Sequence, residues 1–173
     1  IVSPLIALMQ DQITALAQLG ISARAINSSM SDRAVFEVKQ KLESNNLDLL
    51  YVAPERLVMP EFVELLERVK IALFAIDEAH CVSQWGHDFR PDYTALSFLA
   101  ERFEGVPRIA LTATADRATR KDIIERLKLE NGRTFIGGFD RPNIHYSILE
   151  RNNPKKQVYD FIKNYHLEDS GII

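Results

Sequence analysis

Two adjacent acids, Asp77 and Glu78, follow the apolar run Ala72-Leu73-Phe74-Ala75-Ile76 without a break. Such a run reads as a buried strand, and in open α/β sheets ligands gather at the carboxyl ends of strands. A carboxylate there can hold Mg²⁺ through water, and a second can orient a nucleophilic water against a γ-phosphate. Asp77 is the candidate for the metal and Glu78 for the water, which puts both on the phosphate side of a bound nucleotide. The competing reading is a strand that ends in two solvated acids.

The stretch from Cys81 to Tyr93, CVSQWGHDFRPDY, has neither a helical nor a strand period and reads as a long loop beside these acids. Aromatic faces such as those of Trp85 and Phe89 can stack on bases, and Arg90 can pair with a phosphate. Equally, Trp85 and Phe89 can plug the underside of an irregular loop, the more frequent fate of large aromatics. Asp77, His80, Cys81 and His87 are all side-chain types that bind zinc. A buried strand feeding two acids nevertheless predicts magnesium and phosphate better than a closed tetrahedral site, and Cys81 is more simply a small buried residue.

Three further strand ends carry polar residues. Ala110-Leu111-Thr112-Ala113-Thr114-Ala115 places two hydroxyls where they would face His80 if the strands are neighbours, although Thr114 or Asp116 is also an ordinary cap for a following helix. Ser3-Pro4 opens a helix directly after a strand, an arrangement whose free amides suit phosphate and whose simpler role is capping. Pro54-Glu55-Arg56 ends another strand, with Arg56 either a phosphate contact or a member of a surface ion pair.

The elements that must position these residues alternate between apolar runs of strand length and amphipathic stretches of helix length, the pattern of a mainly parallel sheet with helices on its faces. Strands are expected at Ile1 and Val2, Ala23 to Ile26, Leu47 to Val52, Ile71 to Ile76, Arg108 to Leu111, Thr134 to Ile136 and Ile144 to Leu149. Helices are expected at Pro4 to Leu19, Asp32 to Glu43, Pro60 to Val69, Tyr93 to Phe103, Ala115 to Leu127 and Pro154 to Asn164. Gly137-Gly138, followed by Asp140, Pro142 and Asn143, is the densest cluster of turn residues and marks a boundary. Residues 1–138 then form one α/β unit, and residues 139–173 begin a second.

With 173 residues and 46% hydrophobic content, the chain can bury a real core. A net charge of -3 gives no global attraction to phosphates, so any nucleic-acid contact must be local. A single cysteine excludes an internal disulfide and a paired-cysteine zinc motif, in keeping with a reducing compartment. No apolar run approaches the roughly 18 residues of a membrane span, so no membrane partner is expected. The opening Ile1 and the final Gly171-Ile172-Ile173 read as internal to something longer.

Taken in order, these segments resemble the RecQ family of ATP-dependent DNA helicases, within helicase superfamily 2. Ser3-Pro4-Leu5-Ile6-Ala7-Leu8-Met9-Gln10-Asp11-Gln12 is similar to the family's motif Ia, Tyr51-Val52-Ala53-Pro54-Glu55-Arg56-Leu57 to motif Ib, and Asp77-Glu78-Ala79-His80 to motif II. The segment from Ser83 to Pro91 resembles the aromatic-rich loop, Thr112-Ala113-Thr114 motif III, and Phe139-Asp140-Arg141-Pro142-Asn143 the entry into a second RecA-like domain. A lone DEAH string is weak evidence, but DEAH followed by SQWGHDFRP is specific.

The resemblance implies a RecA-like α/β fold of P-loop NTPase type, with ATP and Mg²⁺ as cofactors and no zinc site within this stretch. It implies Asp77 for Mg²⁺ and Glu78 for the attacking water. His80, Gln84, His87, Thr112 and Thr114 would couple hydrolysis to a single-stranded DNA sensor. DNA contacts would come from Ser3, Pro4, Arg56, Trp85, Phe89, Arg90, Arg141 and Asn143. The implied activity is 3′ to 5′ unwinding in recombination and repair, acting on single-stranded and partly duplex DNA alongside repair or single-strand-binding proteins. The implied location is a bacterial nucleoid or a eukaryotic nucleus.

No G-x-x-x-x-G-K-[ST] occurs in the chain, so the phosphate loop is expected just before Ile1 and the stretch alone is expected to be inactive. Two alternatives remain: an RNA helicase that also spells motif II as DEAH, and a non-catalytic DNA-binding scaffold that kept the fold. The aromatic loop and the Thr-Ala-Thr spelling argue against the first, and intact Asp77 and Glu78 against the second.

Overall fold

The structure is a computed structural model that describes residues 1–84, 88–138 and 141–172. The chain divides into two compact units, Ile1–Gly132 and Arg133–Ile173. The first unit contains α1 (Ile6–Gln18), β1 (Ala23–Ile26), α2 (Asp32–Glu43), β2 (Leu49–Val52), α3 (Pro54–Leu57), α4 (Pro60–Glu67), β3 (Phe74–Ile76), a 3₁₀ turn (Ala79–Val82), α5 (Pro91–Ala95), α6 (Phe98–Arg102), β4 (Arg108–Ala110) and α7 (Arg117–Arg126).

Strands β1 and β2 pair in parallel, Ala23 opposite Leu49 and Ile26 opposite Val52. Strands β3 and β4 do the same, Phe74 opposite Arg108 and Ile76 opposite Ala110. Val2 lies in parallel register between Val52 and Ile76 and joins the two pairs into one sheet. Its amide donates to the Ala75 carbonyl at 2.7 Å, and its carbonyl accepts from the Asp77 amide at 2.9 Å. Parallel strands need crossovers, and the intervening helices supply them.

Because successive side chains of a strand point to opposite faces, β2 shows where the helices lie. Leu49 and Tyr51 join Met9 and Ile13 of α1 in one cluster. Leu50 and Val52 join the larger cluster with Val38 of α2 and Phe62, Leu65 and Leu66 of α4. The sheet is therefore covered on both faces, and the RecA-like α/β expectation holds.

Several boundaries differ from the sequence expectation. The helix expected from Pro4 begins at Ile6, and its cap is Leu5 with no side-chain hydrogen bond. Ser3 instead belongs to the strand end, where its amide donates to the Val52 carbonyl. Strand β3 starts at Phe74 rather than Ile71 because its partner starts at Arg108, with the Phe74 amide donating to the carbonyl of Pro107, a residue with no amide proton to return. The single helix expected from Tyr93 to Phe103 is two short ones. Leu96 and Leu99 donate their amides three residues back, to Tyr93 and Leu96, and this tighter winding turns Tyr93, Leu96 and Leu99 to the same buried side. Helix α7 is capped by Asp116, whose carboxylate accepts from the Thr119 amide at 2.7 Å.

The second unit contains α8 (Pro154–Tyr165), capped by Asn153, whose side chain accepts from the Lys156 amide. The strands expected at Thr134 to Ile136 and Ile144 to Leu149 are absent from it. Their apolar residues have no neighbouring strand among the described residues of the unit, and a strand without one leaves its amides and carbonyls unpaired. Phe135 and Ile148 are accordingly exposed.

Candidate functional site

Asp77 stands immediately after β3 and is fixed through its backbone. Its amide donates to Val2, and its carbonyl accepts from the Tyr93 hydroxyl at 2.9 Å. Of its two carboxylate oxygens, Oδ1 accepts from the Glu78 amide at 2.9 Å, which turns the group back over the strand end. Glu78 adopts left-handed backbone angles, φ 49 and ψ 42, a conformation that costs a non-glycine residue about 1–2 kcal/mol. The chain thereby turns sharply out of the sheet. The Ala79 amide donates to Leu111 at the end of β4, and the Cys81 amide to Glu78, opening the 3₁₀ turn.

His80 is buried in that turn. Its Nδ1 lies 3.2 Å from Glu78 Oε2 and 3.0 Å from Thr112 Oγ1. The Thr112 contact has hydrogen-bond geometry, with its direction set by the imidazole tautomer, and the Glu78 carboxylate is a close acidic neighbour of the same nitrogen. The Thr112 hydroxyl donates to the Thr114 carbonyl and accepts from the Thr114 amide, each at 3.2 Å. The four residues form one chain of contacts from the Glu78 carboxylate to the backbone of Thr114. Of the two hydroxyls expected to face His80, that of Thr112 does so, while Thr114 joins through its backbone.

The loop is stitched at both flanks. Ser83 is buried, and its hydroxyl donates to Asp122 of α7 at 2.9 Å. On the far side the Arg90 amide donates to the Cys81 carbonyl at 2.9 Å. The Arg90 guanidinium pairs with Asp88 at 3.1 Å, a contact that raises its already high pKa. Gln84 and Phe89 are exposed. Trp85 and His87, like Phe139 and Asp140 of the entry segment, lie outside the described residues.

The donor set at the strand end fits Mg²⁺. Two consecutive residues supply hard carboxylates, that of Asp77 oriented by a backbone amide, and the Glu78 side chain is 29% exposed. These residues would hold a hydrated ion through Asp77. The structure also brings His80, Cys81 and Asp88 within 4.8 Å of one another, a different grouping from the zinc alternative built on Asp77, His80, Cys81 and His87. Burial, helped by the Asp88 charge, pushes the Cys81 thiol up to about 11, so it is protonated near neutral pH rather than poised as a thiolate ligand.

Ser3 is fully buried with its amide in use, which leaves Pro4 as the more accessible member of that pair. Arg56, in α3, sets its guanidinium 3.7 Å from the Met59 sulfur instead of pairing with Glu55. Arg141 and Asn143 are exposed in the second unit. Sequence reasoning missed two residues of the site, Tyr93 and Asp122. For Tyr93 a signal existed: a buried tyrosine usually finds a partner for its hydroxyl. For Asp122, inside α7, nothing in the local pattern pointed to Ser83.

The family model described as DEAD/DEAH box helicase matches residues 1–123. The chain belongs to the DEAD/DEAH box helicase family. It is 48% identical to the ATP-dependent DNA helicase RecQ of Pasteurella multocida over 94% of this chain and 26% of that protein. It is 38% identical to the Bacillus subtilis protein of the same name over 100% of the chain and 29% of the relative. With the RecQ-like DNA helicase BLM of Xenopus laevis it shares 40% identity over 100% of the chain and 13% of the relative. The similarity to RecQ helicases thus runs over nearly the whole chain, which spans about a quarter of the length of the bacterial relatives.

Proposed function

We propose that the protein carrying this sequence is an ATP-dependent DNA helicase of RecQ type, moving 3′ to 5′ on single-stranded DNA and unwinding duplexes in recombination and repair. The observation that carries this reading is the contact chain Glu78–His80–Thr112–Thr114, which links a carboxylate at a metal-competent strand end to the end of the next strand. A solvated pair of acids needs no such connection. The names of the relatives support DNA over RNA as the substrate.

In this reading Asp77 holds hydrated Mg²⁺ and Glu78 orients the water that attacks the γ-phosphate of ATP. When bound, the ion neutralises charge that develops on the phosphates. His80, Gln84, His87, Thr112 and Thr114 pass the state of that site toward the DNA sensor formed by Trp85, Phe89 and Arg90. Pro4, Arg56, Arg141 and Asn143 contact the DNA backbone, with Ser3 setting the position of Pro4. DNA as a partner places the protein at the nucleoid of a bacterium or in a eukaryotic nucleus, where repair or single-strand-binding proteins act on the same strands.

The test is unwinding of two duplexes that differ only in the polarity of a single-stranded tail, with and without ATP. A RecQ-length protein carrying this sequence opens the 3′-tailed duplex in an ATP-dependent manner. Unwinding of the 5′-tailed duplex alone, or of an RNA duplex in preference to DNA, contradicts the reading.

A further inference from the structure

The Tyr93 ring is among the largest side chains of the core that are fully buried, yet its hydroxyl reaches back across 16 residues of chain to the carbonyl of Asp77. That carbonyl stands between the last strand residue and the left-handed Glu78, where the sheet no longer supplies a donor: Asp77 faces the Val2 strand, its amide goes to Val2, and the next position in register is Pro4, which has no amide proton. Buried carbonyls need partners. Tyr93 therefore provides the hydrogen bond that holds the Asp77–Glu78 peptide plane, and this plane also carries the amide that orients Asp77 Oδ1. The Arg90 amide bond to Cys81 and the Tyr93 amide bond to Arg90 tie the same tyrosine to the far flank of the loop.

We propose that Tyr93 is a positioning residue for the metal site: its hydroxyl sets the orientation of the Asp77 carboxylate. The proposal rests on the reading of Asp77 as the residue that holds hydrated Mg²⁺. Tyr93 touches neither ion nor nucleotide. It acts on an outer shell, and loss of such partners commonly weakens metal affinity by about 10–100-fold.

The experiment measures Mn²⁺ binding by electron paramagnetic resonance, with a non-hydrolysable ATP analogue, on the full-length helicase carrying this sequence. Tyr93→Phe keeps the ring and removes only the hydroxyl. The expected result is an Mn²⁺ dissociation constant raised by about tenfold, with single-stranded DNA affinity unchanged. Wild-type Mn²⁺ affinity in folded Tyr93→Phe overturns the proposal. If that variant does not fold, Tyr93→4-aminophenylalanine decides: it keeps a donor at the ring's para position and should bind Mn²⁺ as the parent does, whereas affinity as weak as that of Asp77→Asn overturns the proposal. Asp77→Asn separates the two claims. If it binds Mn²⁺ normally, the reading of Asp77 fails and the proposal with it; if it alone loses affinity, only the role of Tyr93 fails.

Discussion

His80 Nδ1 sits 3.0 Å from the Thr112 hydroxyl, joining the turn after β3 to the end of β4 through two side chains that are 32 residues apart in sequence. The same nitrogen faces the Glu78 carboxylate at 3.2 Å. On the proposed reading, a change in what Glu78 binds alters the charge beside this nitrogen and with it the contact to Thr112. Thr112 is hydrogen-bonded to both backbone groups of Thr114, and on that reading it passes the change into the segment leading to α7.

Thr112→Val keeps the shape of the residue and removes this hydroxyl. Basal ATP hydrolysis should persist, while unwinding per ATP hydrolysed falls by about two- to tenfold, the effect of one neutral hydrogen bond worth about 0.5–1.5 kcal/mol. Parallel ATPase and unwinding assays check this. A proportional loss of both activities would make Thr112 part of the hydrolytic site itself.

The loop should show the opposite selectivity. Trp85→Ala is expected to reduce stimulation of the ATPase by single-stranded DNA more than it reduces DNA binding, measured by fluorescence anisotropy. Equal losses would make Trp85 a plain stacking residue.

Much of this site was legible in the sequence because the chemistry is local there. Asp77, Glu78 and His80 lie within four consecutive positions, and an apolar strand followed by acids specifies both burial and exposure. The pairing of His80 with Thr112 was also foreseeable, since it needed only adjacent strands. The partners of Tyr93 and Asp122 were not, even though a buried tyrosine signals that its hydroxyl has one, because Asp77 and Ser83 are chosen by how α5 and α7 pack, and packing leaves no period in the sequence. Strand expectations failed at residues 134–136 and 144–149 for a related reason. Strand propensity describes a residue's fit to a sheet, and forming a strand requires a neighbour.

Asp116 gives a pH-dependent prediction. The Thr119 amide holds its carboxyl below the ordinary value of 3.8. A depressed carboxyl contributes stability above its unfolded pKa, and the contribution is lost as pH falls through the folded pKa. Asp116→Ala should lower the Tm at pH 7, and the gap between variant and parent should narrow below about pH 4. A gap that is constant with pH would show that charge plays no part in the cap.

Cys81 should be unreactive in the folded protein, since burial pushes its thiol up to about 11. Alkylation by iodoacetamide at pH 7.5, about three and a half units lower, should be slow until denaturant is added. Zn²⁺ should neither protect the thiol nor raise the Tm. Rapid alkylation that zinc blocks would instead favour a metal site at His80, Cys81 and Asp88.

The role of Glu78 is tested most directly by single-turnover ATP hydrolysis in a RecQ-length protein carrying Glu78→Gln. ATP binding should remain nearly intact while the hydrolysis rate falls by about 10²–10⁴-fold, the range for a positioned acid–base group. Hydrolysis at the parental rate would contradict the account, because no other described residue takes the place of Glu78 between the Asp77 corner and His80.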